Sequence, residues 1–274
     1  MWSGEFRLEP ASGGNYAHNR MRKLASVAVI AGMLAVAPGA AAEQIVVGPS
    51  PLESFTISSG AGNCVGGPCL AFQDPTEGGA DATSPVNGVV TSWSVRTGSL
   101  QSGSTYRLRI IRVAAGSASD FTVLRSSGFG PPIPAPGTYT QTTGLPISAG
   151  DRIALGATAG SVFPSFVGSG PSDRVRITNA GTDPPDGSSG SGPMIGTPDI
   201  LGANATVEFC RVPDVVGKKI RNATALVAGA DCAPRPKRKK KRAKPKKRKR
   251  VVRQSPAPGL TAAPGTEVTL VFRR

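Results

Sequence analysis

Val89-Val90-Thr91-Ser92-Trp93-Ser94-Val95-Arg96 switches at nearly every step between side chains that seek a core and side chains that tolerate water. Counted from Val89, the run puts Val89, Thr91, Trp93 and Val95 on one side. Val90, Ser92, Ser94 and Arg96 fall on the other, the period-two signature of a half-buried strand. Trp93 is expected inside. The same period recurs at Tyr106, Leu108 and Ile110, set against Arg107 and Arg109, and at Phe121/Val123, Ile153/Leu155, Val175/Ile177 and Val207/Phe209. Clusters of Gly, Pro, Asp or Ser bound each piece, and no stretch from 44 to 209 sustains a helical period. Glycine (35) and proline (25) exceed a fifth of the 274 residues. They lack a collagen-like period, so they read as turns between many short strands. The expected fold is mainly β, with an antiparallel, jelly-roll-like β-sandwich over 43–209. Within it, 181–193 (GTDPPDGSSGSGP) reads as a flexible loop by composition. Val207 and Phe209 look like a closing strand, which puts the domain boundary near Cys210.

Upstream of the sandwich, Met21-Arg22-Lys23 precedes a mostly apolar run over 24–37, a Pro38-Gly39 break and Ala40-Ala41-Ala42. This is the order of a secretory signal peptide over 21–42, with cleavage expected between Ala42 and Glu43. The apolar run is shorter than the roughly 20 residues a membrane span needs, so no span is expected in the mature chain. Residues 1–20 do not fit the signal pattern, and Met21 is the expected start. The four cysteines, Cys64, Cys69, Cys210 and Cys232, follow the signal, and an even count there points to disulfides in an oxidising compartment. Three connectivities are open, of which the two local pairs are favoured. The C-x4-C spacing lacks a second ligand pair and so does not read as a zinc site.

Charge is divided unevenly. Residues 43–209 hold 8 Lys+Arg against 12 Asp+Glu, whereas 210–274 hold 20 against 3. A polyanionic partner should be met at the C-terminal end. Most of the excess lies in 235–250, where 13 of 16 residues are basic: Arg235, Lys237, Arg238, Lys239, Lys240, Lys241, Arg242, Lys244, Lys246, Lys247, Arg248, Lys249 and Arg250. The run reads either as a solvated, self-repelling loop or as a docking strip for anionic wall polymers. No aromatic residue interleaves with it. The stacking used by single-strand binders is therefore missing, and no specific nucleic-acid partner is expected.

Around the run, Val212-Pro213-Asp214-Val215-Val216-Gly217 is a short extended piece, and Ile220, Ala223 and Val227 recur at helical spacing before Gly229. Two strands are expected after it, over 251–254 and 267–272, completing a β-α-β-β unit. This order resembles the PASTA domain, a small module of the extracellular parts of penicillin-binding proteins and membrane serine/threonine kinases. The resemblance rests on Val212 to Gly217, the helix, Gln254-Ser255-Pro256 with Pro258-Gly259, and Pro264-Gly265-Thr266-Glu267-Val268-Thr269-Leu270-Val271. The segment also resembles a disulfide-bearing variant of secreted actinobacterial proteins, in which cysteines flank the helix as Cys210 and Cys232 do. The basic insertion over 235–250 departs from the family pattern. More distantly, 88–96, 106–112 and 145–153 resemble a jelly-roll domain of secreted actinobacterial proteins, a likeness that implies architecture and no activity.

His18 is the only histidine, and it lies upstream of the signal. Imidazole-dependent Ser-His-Asp and Cys-His mechanisms are thereby excluded, as are the usual zinc-hydrolase ligand sets. No G-x-S-x-G elbow is present, and Gly217-Lys218-Lys219 lacks the rest of a phosphate loop. Asp74, Glu77, Asp81 and Asp151 sit at turn positions. The expectation is a secreted, non-enzymatic binding protein of the cell wall that needs no cofactor. Its PASTA-like module would contact peptidoglycan or an anionic wall polymer, as the resemblance implies. The alternatives are an adhesion or carbohydrate-binding protein acting through the sandwich, and a carboxylate-dependent glycosidase.

Overall fold

The computed structural model describes residues 42–58, 62–74, 81–168, 170, 173–179, 181–193, 199–238 and 249–273. Most of the expected signal peptide, and the middle of the basic run, lie outside these residues. In chain order the sandwich strands are β1 (Glu43–Val47), β2 (Cys69–Gln73), β3 (Gly88–Thr97), β4 (Tyr106–Val113), β5 (Asp120–Ser126) and β6 (Gly137–Ile147). There follow β7 (Arg152–Ala157), β8 (Ser165–Val167), β9 (Val175–Ile177), β10 (Ser189–Ser191), β11 (Asp199–Leu201) and β12 (Ala203–Arg211).

Four antiparallel pairings define the sandwich: β1 with β12, β2 with β7, β3 with β6 and β4 with β5. Together they describe one long hairpin folded over on itself. The resulting orders are β1-β12-β3-β6 in one sheet and β5-β4-β7-β2 in the other, extended at its edges by β10 and β9. This is the strand order of a jelly roll. Val90, Trp93, Val95, Ala205 and Val207 from the first sheet meet Leu108, Ile110, Ile153 and Leu155 from the second in one buried cluster. Trp93 is among the core residues. Its inward neighbour differs from the simple alternation, because Val90 is buried and Val89 is only half-buried. The pairing of β3 with β6 slips between Val90 and Ser92, so a bulge at Thr91 reverses the phase of the strand.

The segment 181–193 is not the free loop its composition implies. It crosses the outer face of the second sheet, pairs there through β10 with β5, and covers a second apolar cluster that includes Leu70, Phe72, Ile111, Phe121 and Val123. Charge holds it down. Arg109 on β4 donates from Nε to Asp183 at 3.0 Å, from Nη2 to the Pro184 carbonyl at 2.7 Å, and from Nη1 to Asp186 at 3.1 Å. Arg107 reaches the other oxygen of Asp183 and lies 4.5 Å from the Phe129 ring centre. Gly190 permits the close approach, since a Cβ there would stand 2.9 Å from both Phe121 and Pro184.

Strand β12 carries the chain into a second core. Phe209 belongs to the jelly-roll cluster and Cys210 to the next, which joins Val212, Val215, Ala223, Val227, Val251, Val268 and Leu270. The second core lies between helix α1 (Ile220–Gly229) and a sheet of β13 (Ala233–Arg238), β16 (Glu267–Arg273) and β14 (Arg250–Ser255), in the order β13-β16-β14. The two-residue β15 (Thr261–Ala262) pairs with Cys210 and Arg211 at the end of β12, and Asn87 fixes Thr261 through bonds of 3.0 and 3.1 Å. Cys64 is bonded to Cys69, and Cys210 to Cys232, across the start and end of the helical segment.

The sheet differs in one respect from the β-α-β-β order. The 212–216 piece is not one of its strands and is tied instead to the 259–260 turn, through Val212 N–H to the Leu260 carbonyl at 2.9 Å. The strand after the helix is β13, which begins the basic run. Arg235, Lys237 and Arg238 are thus strand residues and not part of a loop. The prolines allow this. Ala233 donates its N–H to the Thr266 carbonyl at 2.9 Å. On an edge strand every second residue turns its N–H to the neighbour, so Arg235 and Lys237 take donor positions. Pro234 and Pro236, which have no N–H, fall on the open edge.

Candidate anion-binding site

The two faces of the β13-β16-β14 sheet are unlike. Val268 and Leu270 of β16 are buried against α1, which leaves Glu267, Thr269 and Val271 on the outer face. The register sets Arg235 of β13 and Ser255 of β14 beside Thr269, and Lys237 and Arg253 beside Val271. Arg253 reaches this face through an irregularity. The pairing of β14 with β16 slips between Val251 and Arg253, so Val252 is a bulge. Without it, Arg253 would follow Val251 onto the helix side; with it, Val251 stays in the core and Arg253 points outward.

The result is a groove of about 350 Å³ lined by Lys237, Arg253, Gln254, Ser255, Thr269 and Val271. Two strand spacings of about 4.8 Å put the Cα atoms of Lys237 and Arg253 about 10 Å apart, with Val271 as an apolar floor between them. Glu267 is the acidic residue of this face, and it is already engaged: Arg235 donates to its two oxygens at 2.9 and 2.8 Å. That hydrogen bond is the main reason the Glu267 carboxyl sits below the usual carboxylate range. Among the described residues, neither Lys237 nor Arg253 takes part in an ion pair. Among the described residues the face therefore offers two cations outside any ion pair and the Ser255 hydroxyl around one depression, while the Thr269 hydroxyl donates to Glu267 at 3.3 Å.

The structure brings only part of the basic run to this place. Arg235 and Lys237 lie on the outer face, and Arg238 ends β13 beside Phe272. Lys249 accepts the Ile220 N–H at 3.0 Å through its carbonyl, and Arg250 donates to the Gly217 carbonyl at 2.6 Å. Lys239, Lys240, Lys241, Arg242, Lys244, Lys246, Lys247 and Arg248 lie outside the described residues. Arg253, Ser255 and Thr269 fall beyond the run on which the sequence reading centres. The signal that could have found them is the alternation in 250–255, had the bulge been anticipated.

The turn acids are engaged with their own surroundings. Asp74 receives Arg176 Nε at 2.7 and 2.8 Å, and Asp81 accepts the Thr83 N–H at 2.9 Å. Asp151, fully buried, accepts the Ser148 N–H at 2.9 Å and Arg112 Nε at 2.8 Å. Glu77 lies outside the described residues. At the other end of the sandwich, Glu43 of the expected cleavage site opens β1 and pairs with Arg211 at 3.0 Å. Ala42 directly precedes it and is the first described residue.

Among the described residues, no helix is long and apolar enough to cross a membrane. The two disulfides fit an extracellular or wall-associated protein. No curated protein and no solved structure matches the chain. The family model for the PASTA domain matches residues 211–274, the span that contains α1, the three-stranded sheet and the groove. With one helix laid on one face of a small sheet and that match covering both, the chain is a PASTA domain-containing protein.

Proposed function

We propose that this protein is a secreted, non-enzymatic binding protein of the cell envelope, whose PASTA domain contacts peptidoglycan or the anionic polymers attached to it. The observation that carries the reading is the cationic outer face of the PASTA sheet, where Arg235, Lys237 and Arg253 gather beside the most basic stretch of the chain. PASTA domains bind peptidoglycan-related ligands, and a wall rich in anions is a counterpart for such a face. The protein should sediment with purified sacculi, and the bound fraction should fall steeply with salt, since each neutralised charge contributes a log–log slope of roughly −0.7 to −0.9 on a nucleic-acid-like polyanion. Serine at Lys239, Lys240, Lys241 and Arg242 should weaken binding and flatten that slope. Wall binding that ignores both salt and these substitutions would remove the electrostatic basis of the proposal. Export has its own check: N-terminal sequencing of the protein recovered outside the cell should begin at Glu43, and an intact leader would contradict it.

A further inference from the structure

We infer that the groove between Lys237 and Arg253 is a discrete binding site for a phosphate group, of the kind carried by a phosphodiester-linked polymer. The inference rests on the envelope reading only for where such a polymer would be met. Three observations bear on it. The cations stand on opposite walls, one from each strand flanking β16. The β14 bulge is what brings Arg253 to its wall. Among the described residues of the face, Glu267 is paired with Arg235 and lies within electrostatic reach of Lys237, which leaves three cations against one carboxylate and a net positive face.

The shape favours phosphate over carboxylate. A planar carboxylate presents both oxygens to one side and is best met by a single guanidinium fork. A tetrahedral phosphate presents oxygens in several directions. It can accept from Arg253 on one wall, from the Lys237 ammonium on the other, and from the Ser255 hydroxyl beside it. The groove volume, about 350 Å³, lies within the range of small-ligand sites, roughly 300–1,000 Å³. Among the described residues, no aromatic side chain lines it. It therefore offers no platform for stacking a sugar or a base, and recognition falls on the charged group itself.

The test uses the full chain, with inorganic polyphosphate and poly-glutamate of similar length as probes at one fixed salt concentration. Lys237→Gln combined with Arg253→Gln should weaken polyphosphate binding more than tenfold. Arg221→Gln, which removes one charge from α1 on the opposite side of the sheet, should change it less than twofold. Ser255→Ala, which removes a hydroxyl from the groove, should give a smaller loss of a few fold with an unchanged melting temperature. A double-variant loss no larger than that of Arg221→Gln would overturn the site in favour of a diffuse field. An equal loss for poly-glutamate would overturn the assignment to phosphate. Sacculi stripped of phosphate polymers separate this inference from the wall reading. If the double variant and the parent bind untreated and stripped sacculi alike, the groove fails and wall binding stands. If neither preparation binds but polyphosphate binding still needs Lys237 and Arg253, the groove stands and wall binding fails.

Discussion

Replacing Asp183 with alanine should destabilise the protein by about 3–5 kcal/mol, the cost of leaving one partner of a buried ion pair alone. The side chains of Arg109 and Asp183 are 1% and 2% exposed. Arg109 cannot follow its lost partner into water, because it lies within β4, between β5 and β7. Asp186 would remain as its carboxylate, but that group is half exposed and bonds only one nitrogen, at 3.1 Å. The loss also frees Arg107 and detaches 181–193 from the apolar cluster beneath it. At roughly 2–4 °C per kcal/mol for a domain of this size, the melting temperature should fall by on the order of 10 °C. Asp186→Ala is the informative companion and should cost about 1 kcal/mol or less, as exposed pairs do. Thermal unfolding followed by the fluorescence of Trp93 reads both variants. A cost for Asp183→Ala equal to that for Asp186→Ala would mean that 181–193, the strap across the second sheet, does not hold its place in solution.

The second large effect belongs to the Cys210–Cys232 bond. It closes 22 residues of sequence separation around the helix, against 5 for Cys64–Cys69. The chain-entropy estimate gives about 3 kcal/mol for the long loop and about 2 kcal/mol for the short one. The consequences differ more than those numbers. The PASTA core is a small cluster in which Cys210 and Cys232 are themselves buried members, and a core of that size has little stability to spare. Cys210→Ala with Cys232→Ala should therefore let the C-terminal domain open before the jelly roll does. Amide exchange should accelerate in α1, β13, β14 and β16 while β3 and β4 keep their protection. Uniform acceleration across both cores would show that the domain does not depend on this bond.

Much of the architecture is readable from local pattern. Tyr106, Leu108 and Ile110 face the core as their alternation requires, and Ile220, Ala223 and Val227 form the helix side of the second core. The pattern fails where a second strand decides the register. Val89 and Val90 are equally apolar, and only pairing with β6 and β12, both of which skip Thr91, selects Val90 for the interior. The 181–193 segment has the composition of a linker, yet Asp183 meets arginines 76 and 74 residues away. Composition carries no information about a partner at that distance. Ala233 to Arg238 reads as the start of a charged loop until its prolines are seen to alternate with donor residues on an edge strand.

The sequence by itself determined the mainly β class, the C-terminal placement of the positive charge, the PASTA resemblance and the residues that could form disulfides. These follow from period, composition and spacing, which are properties of neighbours along the chain. The tertiary structure alone decided the jelly-roll order, the docking of the strap, and the meeting of Lys237 with Arg253 across Val271. Each of these depends on which strand lies beside which, and on single-residue bulges that invert a face. A one-residue slip at Val252 costs little in local preference but moves a guanidinium from one side of a sheet to the other. The groove is therefore a product of strand pairing, in which Lys237, Arg253 and Val271, 16 to 34 positions apart, meet though no local pattern links them.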